Sequence, residues 1–298
     1  MGTRGSRLAL AQTQQMAEAL RAEHPGTEIE VSIIQTLGDK VPDRPLAAIG
    51  DPGLFTKEIE SALLDGRVDL AVHSMKDLPS RLMPGLAIAA TTERVDPRDA
   101  LVSRHAASVE SLPAGATVGT GSLRRRSQLL ALRPDLAIED LRGNVPTRIE
   151  KLDRSSWEAI VLAAAGLTRL GLADRIRSYI PCETMLPAVG QGALALEIRE
   201  SDRELAEAVS FLTHGPTERA VAAERSFLAR LEGGCRVPIA AYAEVGGSSL
   251  RLRGYVGTGD GSRHLRREVE GESSRAENLG IELAESMLAA GADAILRS

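Results

Sequence analysis

Apolar positions along the chain follow two alternating rhythms. Glu28–Thr36 (EIEVSIIQT) alternates polar and apolar residues at the period of a half-buried strand. Leu54–Leu64 then carries Leu54, Phe55, Ile59 and Leu63 at helical spacing. Val68–Ser74 (VDLAVHS) predicts a buried strand running into the polar loop Met75–Leu78, and Leu86–Ala90 predicts another strand. After the polar stretch Glu93–Arg98 the pattern restarts. It predicts a strand over Thr117–Thr120, a helix over Ser122–Leu132, a strand over Leu136–Leu141, a helix over Val145–Leu152 and a strand over Glu158–Ala164. Such alternation predicts α/β layers with a largely parallel sheet, in two domains of similar size. Near Thr217 the rhythm changes. A helix over Glu218–Arg230 stops at Gly233–Gly234. Strand-like runs follow at Ile239–Val245, Ser249–Val256 and His264–Glu270, and a helix over Arg275–Ala289 ends the pattern. That section predicts a smaller α+β domain with an antiparallel sheet. No internal repeat or low-complexity tract is visible.

Composition removes several classes of function. With 298 residues, 43% hydrophobic and 26% charged, the chain has ample core for a globular protein. The longest apolar stretch, around Ala159–Ala165, is far short of the roughly 18–20 residues that span a bilayer. The N-terminal segment has only a four-residue apolar run, whereas a signal peptide needs about 7–15. No membrane partner and a cytoplasmic location are therefore expected. Cys182 and Cys235 form no CxxC pair, and the five histidines form no HxH or HxxxH pair. No metal site or disulfide framework is expected. Aromatic residues at 2% and a net charge of −5 argue against a nucleic-acid partner.

In open α/β sheets, ligands bind outside the carboxyl ends of the strands. VDLAVHSMKDLP puts His73, Ser74, Lys76 and Asp77 at such an end, more polar side chains than packing requires. In VGTGSLRRRSQLL, Gly119 and Gly121 permit a tight turn and Ser122 can cap the helix. Arg124, Arg125 and Arg126 follow on its first turn. Cations there oppose the helix dipole, so an anion contact is the better account of them. Arg142 and Arg148 in LRGNVPTR, Arg169 in AAAGLTRLG, and Arg4 and Ser6 in TRGSRLAL recur at similar places. Only four of the 36 Lys and Arg residues are lysines: Lys40, Lys57, Lys76 and Lys151. The excess of arginine reads as a genomic composition bias. Its placement points to a cleft for a ligand with several carboxylates, which guanidinium forks bind bidentately. Cys235, in the Gly-rich turn LEGGCRVP beside Arg236, is open to three readings: a small buried side chain, a nucleophile or an attachment point.

These residues together resemble the porphobilinogen deaminase (hydroxymethylbilane synthase) family. The matching stretches are TRGSRLALAQT, GLFTKEIESALLDGRVDLAVHSMKDLP, DPRDALVS, VGTGSLRRRSQL, LRGNVPTR, AGLTRLGL, LPAVGQGALALE and RLEGGCRVPIAAYAE, in the family's order from Thr3 to Glu244. The resemblance implies two domains like type II periplasmic binding proteins with an active-site cleft between them, plus the small C-terminal domain. The boundaries it suggests are 1–93 with 190–214 for a discontinuous first domain, 97–187 for the second and 217–298 for the third. It implies a dipyrromethane cofactor joined to Cys235 by a thioether. Four porphobilinogen units are added with loss of ammonia, and hydrolysis releases the linear tetrapyrrole. Asp77 would be the catalytic carboxylate, accepting pyrrole N–H groups and steadying positive charge. Arg4, Ser6, Ser74, Lys76, Ser122, Arg124, Arg125, Arg142, Arg148, Arg169 and Gln191 would bind cofactor and substrate, with no metal. A monomer, with transient hand-off of product to uroporphyrinogen-III synthase, is the expected assembly. The chain departs from the family at Ala48 and Pro52, where lysines are common, at Gly121, where the first serine is usual, and at Pro146, where glycine is frequent. Stretch 48–55 is expected to be a stiffer, less cationic lid. The competing readings are a non-catalytic small-anion sensor of the same fold and a thiol hydrolase using Cys235.

Overall fold

The computed structural model describes residues 1–40, 53–231 and 237–297. Two five-stranded sheets share one plan. The first has strand order β2-β1-β3-β10-β4, built from β1 (Gly2–Thr3), β2 (Ser32–Ile33), β3 (Leu70–Ser74), β4 (Leu86–Thr91) and β10 (Leu194–Arg199). The second has order β7-β6-β8-β5-β9, built from β5 (Asp99–Ser103), β6 (Thr117–Gly119), β7 (Ala137–Glu139), β8 (Ala159–Ala163) and β9 (Ser178–Ile180). In each, the fourth strand runs against its neighbours. The largely parallel sheets expected are thus each interrupted by one reversed strand. The reversed strands, β5 and β10, are those the chain forms after crossing from the other sheet. Their first residues therefore lie at the same edge as the carboxyl ends of the parallel strands: Asp99 pairs with Ala163, and Leu194 with Ser74.

Helix α1 (Arg7–Glu23), absent from the periodicity reading, packs Met16 and Leu20 against Leu70, Val72, Leu194 and Leu196. The one-turn helix α2 is Leu37–Lys40, and α3 (Lys57–Leu64) buries Ile59 and Leu63 beneath the first sheet. In the second unit, α4 (Leu123–Leu132), α5 (Val145–Arg154) and α6 (Ala164–Arg169) each begin close to a strand end. Pro146 falls in the first turn of α5, where a missing N–H costs nothing. The predicted strand Glu28–Thr36 contracts to Ser32–Ile33.

After α7 (Arg203–Val209), helix α8 (Gly215–Arg230) leads into the third unit, the meander of β11 (Ile239–Gly246), β12 (Ser249–Gly257) and β13 (His264–Glu272). Helix α9 (Ala276–Ala289) and the short α10 (Ala292–Leu296) complete it. Phe227, Leu252, Leu279, Leu283 and Met287 fill the core between helices and sheet. The Glu224 carboxylate of α8 ties this unit to both crossing segments. It accepts from Arg94 (2.7 Å), from the Gly190 N–H (2.7 Å) and from the Ala243 N–H (2.8 Å). Burial pushes this carboxyl upward, and Arg94 opposes that. Among the described residues, no helix is long and apolar enough to cross a membrane.

The crossing segments run so close together that Gly192 has no room for a side chain. Its φ is +98°, and a Cβ would lie 2.6 Å from the Val95 carbonyl oxygen. Gly26 has a similar φ of +93° but open space around it. Gly192→Ala should therefore lose about 1–3 kcal/mol of stability, and Gly26→Ala clearly less. Urea unfolding of both variants measures the difference.

Candidate functional site

The strand ends converge on one cleft between the two sheets. From the first sheet, β3 runs into a tight turn at Met75–Asp77, which presents Lys76 and Asp77. Ser6 caps α1 by accepting from the Ala9 N–H at 3.2 Å. Leu8 and Gln12 of the same helix face the cleft, where the Gln12 amide hydrogen-bonds Ser74 Oγ at 3.0 Å. From the second sheet come Arg125, Val145, Arg148, Leu162 and Arg169. Gln191 and Gly192 close the floor from the second crossing segment. Of the predicted site residues, Ser74, Lys76, Arg125, Arg148, Arg169 and Gln191 line one pocket.

The anion implied by the α4 arginines is, for two of them, internal. Asp99 is fully buried at the start of β5. Its Oδ2 accepts from Arg124 Nη1 at 2.7 Å, and its Oδ1 accepts from Arg125 Nη2 at 2.7 Å and Nε at 3.1 Å. Arg124 also donates to the Leu186 carbonyl (2.7 Å) and Arg125 to that of Val161 (3.0 Å). Burial alone would raise the Asp99 carboxyl, but the two guanidinium groups hold it far below the usual carboxylate range. Arg124 is thus chiefly a structural cation, Arg125 is both structural and pocket-facing, and Arg126 is exposed. Ser122 caps α4 by accepting from the Arg125 N–H at 3.4 Å. Arg4 is likewise engaged, paired with Asp39 at 2.6 Å and stacked 4.1 Å over the Phe55 ring. His73 turns away from the cleft to meet the buried Glu197, with Nε2 and Oε2 3.0 Å apart.

The remaining cations have no carboxylate partner of this kind. Burial pushes the Lys76 ammonium down to about 8, with Asp77 opposing and Arg125 adding to the effect. Arg148 is lowered to about 10 by burial and by the charges of Arg125 and Arg142, and Arg169 to about 10 by burial. Their hydrogen bonds go to the Gly143 carbonyl (Arg148 Nε, 2.7 Å) and the Gly192 carbonyl (Arg169 Nη2, 3.0 Å). Arg142 is buried, with Nη1 lacking any hydrogen-bond partner. A buried donor left unsatisfied costs about 1–3 kcal/mol, more when charged. Such a set favours an added anion. The charge of Asp77 acts on both Lys76 and Arg148.

Gly121, which departs from the family pattern, is fixed by sterics. A Cβ there would lie 2.8 Å from the Leu141 carbonyl oxygen and 2.9 Å from Asp140 Oδ1. Cys235, Arg236 and the Gly233–Gly234 stop lie outside the described residues, as do Ala48 and Pro52. Asp99 and Gln12 are not singled out by any local pattern, although both fall in family-like stretches, DPRDALVS and TRGSRLALAQT. Among the described residues, no group of three His, Cys, Asp or Glu side chains is placed to hold a metal ion.

Fold and site together define an α/β protein with a cation-lined cleft between two mixed five-stranded sheets, followed by a small antiparallel unit. The family model described as "Porphobilinogen deaminase, dipyromethane cofactor binding domain" matches residues 1–207, and "Porphobilinogen deaminase, C-terminal domain" matches residues 219–289. A porphobilinogen deaminase from Syntrophus aciditrophicus (strain SB) is 52% identical over 296 residues, covering 99% of this chain and 97% of that one. Among solved structures, a substrate-binding domain of a putative amino acid ABC transporter from Streptococcus pneumoniae aligns over 67% of this chain and 80% of that one, with TM-score 0.42 and 17% identity. A TRAP periplasmic solute binding protein from Desulfovibrio salexigens aligns over 71% and 70%, with TM-score 0.43 and 8% identity. The chain belongs to the porphobilinogen deaminase family. It is a transferase with a dipyrromethane-binding domain, and the reading as a non-catalytic anion sensor is not favoured.

The contrast between paired and unpaired arginines is measurable. Arg124→Met leaves Asp99 half-neutralised and should cost about 3–5 kcal/mol. Arg142→Met removes an unsatisfied buried charge and should leave stability unchanged or higher. Urea unfolding of both variants, made in cells unable to produce porphobilinogen, tests this without ligand stabilisation.

Proposed function

We propose that this chain joins four porphobilinogen units, one at a time with release of ammonia, onto a dipyrromethane held by a thioether to Cys235. Hydrolysis then frees hydroxymethylbilane. The observation that carries the reading is the cluster of half-buried cations at one cleft, together with a buried Arg142 whose Nη1 is unpartnered. Each pyrrole ring brings an acetate and a propionate, so a growing chain supplies the anions that Arg142, Arg148, Arg169 and Lys76 lack. That orphaned donor and its neighbours fit a dipyrromethane, which when bound supplies the terminal pyrrole carbon on which the chain grows. Arg142 and Arg148 hold its carboxylates, Arg125 and Arg169 bind the incoming substrate's side chains, and the Gln12–Ser74 pair offers neutral hydrogen bonds beside them. Leu8, Val145 and Leu162 exclude water from the same space. Asp77 accepts pyrrole N–H groups and balances the positive charge that develops as ammonia departs. Ser6 and Ser122 hold the starts of α1 and α4, and Arg4 reaches ligand carboxylates by exchanging its Asp39 partner. Residues 1–93 with 190–214, 97–187 and 217–298 act as three domains. The enzyme works as a cytoplasmic monomer and passes its product to uroporphyrinogen-III synthase.

Intact-protein mass spectrometry should find two pyrrole units added at Cys235, and a bare polypeptide that gains nothing from porphobilinogen would sink the proposal. Asp77→Ala should fold normally yet lose at least about a hundredfold in turnover, a loss typical of a removed charge-stabilising or proton-transfer group. The Lys76 charge is present below about 8 and lost as pH rises through it. The KM for porphobilinogen should therefore climb above pH 8, and Lys76→Met should show a high KM without that climb. Initial rates across pH provide the check.

A further inference from the structure

A continuous hydrogen-bond thread crosses the junction of the two sheets. Asp99 Oδ1 accepts from Gln191 Nε2 at 2.9 Å, and the same nitrogen donates to the Pro97 carbonyl at 2.8 Å. Two acceptors on one side fix which way the amide faces, because a flipped Gln191 would set its oxygen against both. The oxygen is therefore held toward Lys76 Nζ, which donates to it at 3.2 Å. Gln191 is 1% exposed, so water does not compete for these bonds. Asp99 opens β5 just past the first crossing segment, and Gln191 lies in the second. The thread thus begins in the second sheet, passes through the crossing point and ends beside Asp77 on the first.

We infer that Asp99 is a positioning residue: acting through Gln191, it fixes the Lys76 ammonium in the cleft. A lysine has four rotatable bonds and a strongly hydrated head, and without a fixed acceptor it would sample many positions. The carboxylate does two things at once. It locks Arg124 and Arg125 onto the second sheet, and it spends its remaining acceptor capacity on orienting the Gln191 amide. The charged groups around Lys76 are Asp77, Asp99, Arg124 and Arg125, with Arg148 and Arg169 across the same pocket. Removing the Asp99 charge leaves the arginines dominant and disfavours the ammonium. Removing the Gln191 acceptor disfavours it also. The inference rests on the proposed role of Lys76 as a ligand-binding cation.

The chain contains only four lysines, so the holoenzyme labelled with carbon-13 at lysine Cε gives a spectrum simple enough to titrate each one. Lys76→Met assigns the signal. In Asp99→Asn and in Gln191→Leu the Lys76 midpoint should fall by about half a pH unit or more. The part of the Asp99 effect that passes through the amide is already lost in Gln191→Leu, so the double variant should fall by less than the sum of the two singles. Gln191→Leu leaves the Asp99–arginine pairs intact, so it decides the matter if Asp99→Asn does not fold. An unchanged Lys76 midpoint in folded variants overturns the inference, since loss of stability alone would not move it. Additive shifts overturn it too. A midpoint that falls while the pH dependence of KM stays put upholds the thread and instead refutes Lys76 as a ligand-binding cation.

Discussion

One buried carboxylate sets the electrostatics of the cleft. Asp99 neutralises two arginines that would otherwise stand side by side at the start of a helix, where the backbone already carries partial positive charge. Without an internal anion that arrangement is untenable in a low-dielectric interior. With it, α4 can be pinned to β5, β8 and the Leu186 carbonyl, and the cleft wall gains a rigid guanidinium surface. The same carboxylate leaves the other cations uncompensated. Lys76, Arg148 and Arg169 line one pocket without a comparable partner, the charge of Arg142 acts on Arg148, and together they define what the site lacks.

Charge neutralised inside the protein serves architecture, and charge left over serves binding. Arg124 and Arg142 illustrate the division. Both are buried arginines near strand ends, yet one ends on a carboxylate and a carbonyl while the other has a nitrogen with no partner. A ligand whose carboxylate count grows with each added ring suits the second kind, because its anions replace water that the buried guanidinium groups have already lost.

Much of this was legible in the residues. The meander β11–β13 is legible to within two residues at each end, because apolar residues alternate with polar ones in β13 and in the first half of β12, where one face meets a core and the other meets solvent. Helices α4 and α5 are legible from their place in the alternation, and α4 also from its Ser122 cap. Strands β5 and β10 escaped, since DALVS and LALEIR are short, nearly continuous apolar runs whose period identifies neither strand nor helix. The reversal of those strands follows from chain crossing, which no local pattern encodes. In the site, the arginines announced themselves by number and position. Asp99 and Gln191 gave weaker signals, because a buried acid and a surface acid look alike until the partner, tens of residues away, is brought beside it.

The crossing has a consequence for synthesis on the ribosome. The second sheet receives its last strand at residues 178–180, whereas the first waits for β10, which ends at Arg199 and lies between β3 and β4. The half that begins the polypeptide is therefore the later of the two to be completed. Until then the nascent chain holds a gap in the middle of a sheet, two unsatisfied strand edges that only its own returning segment closes.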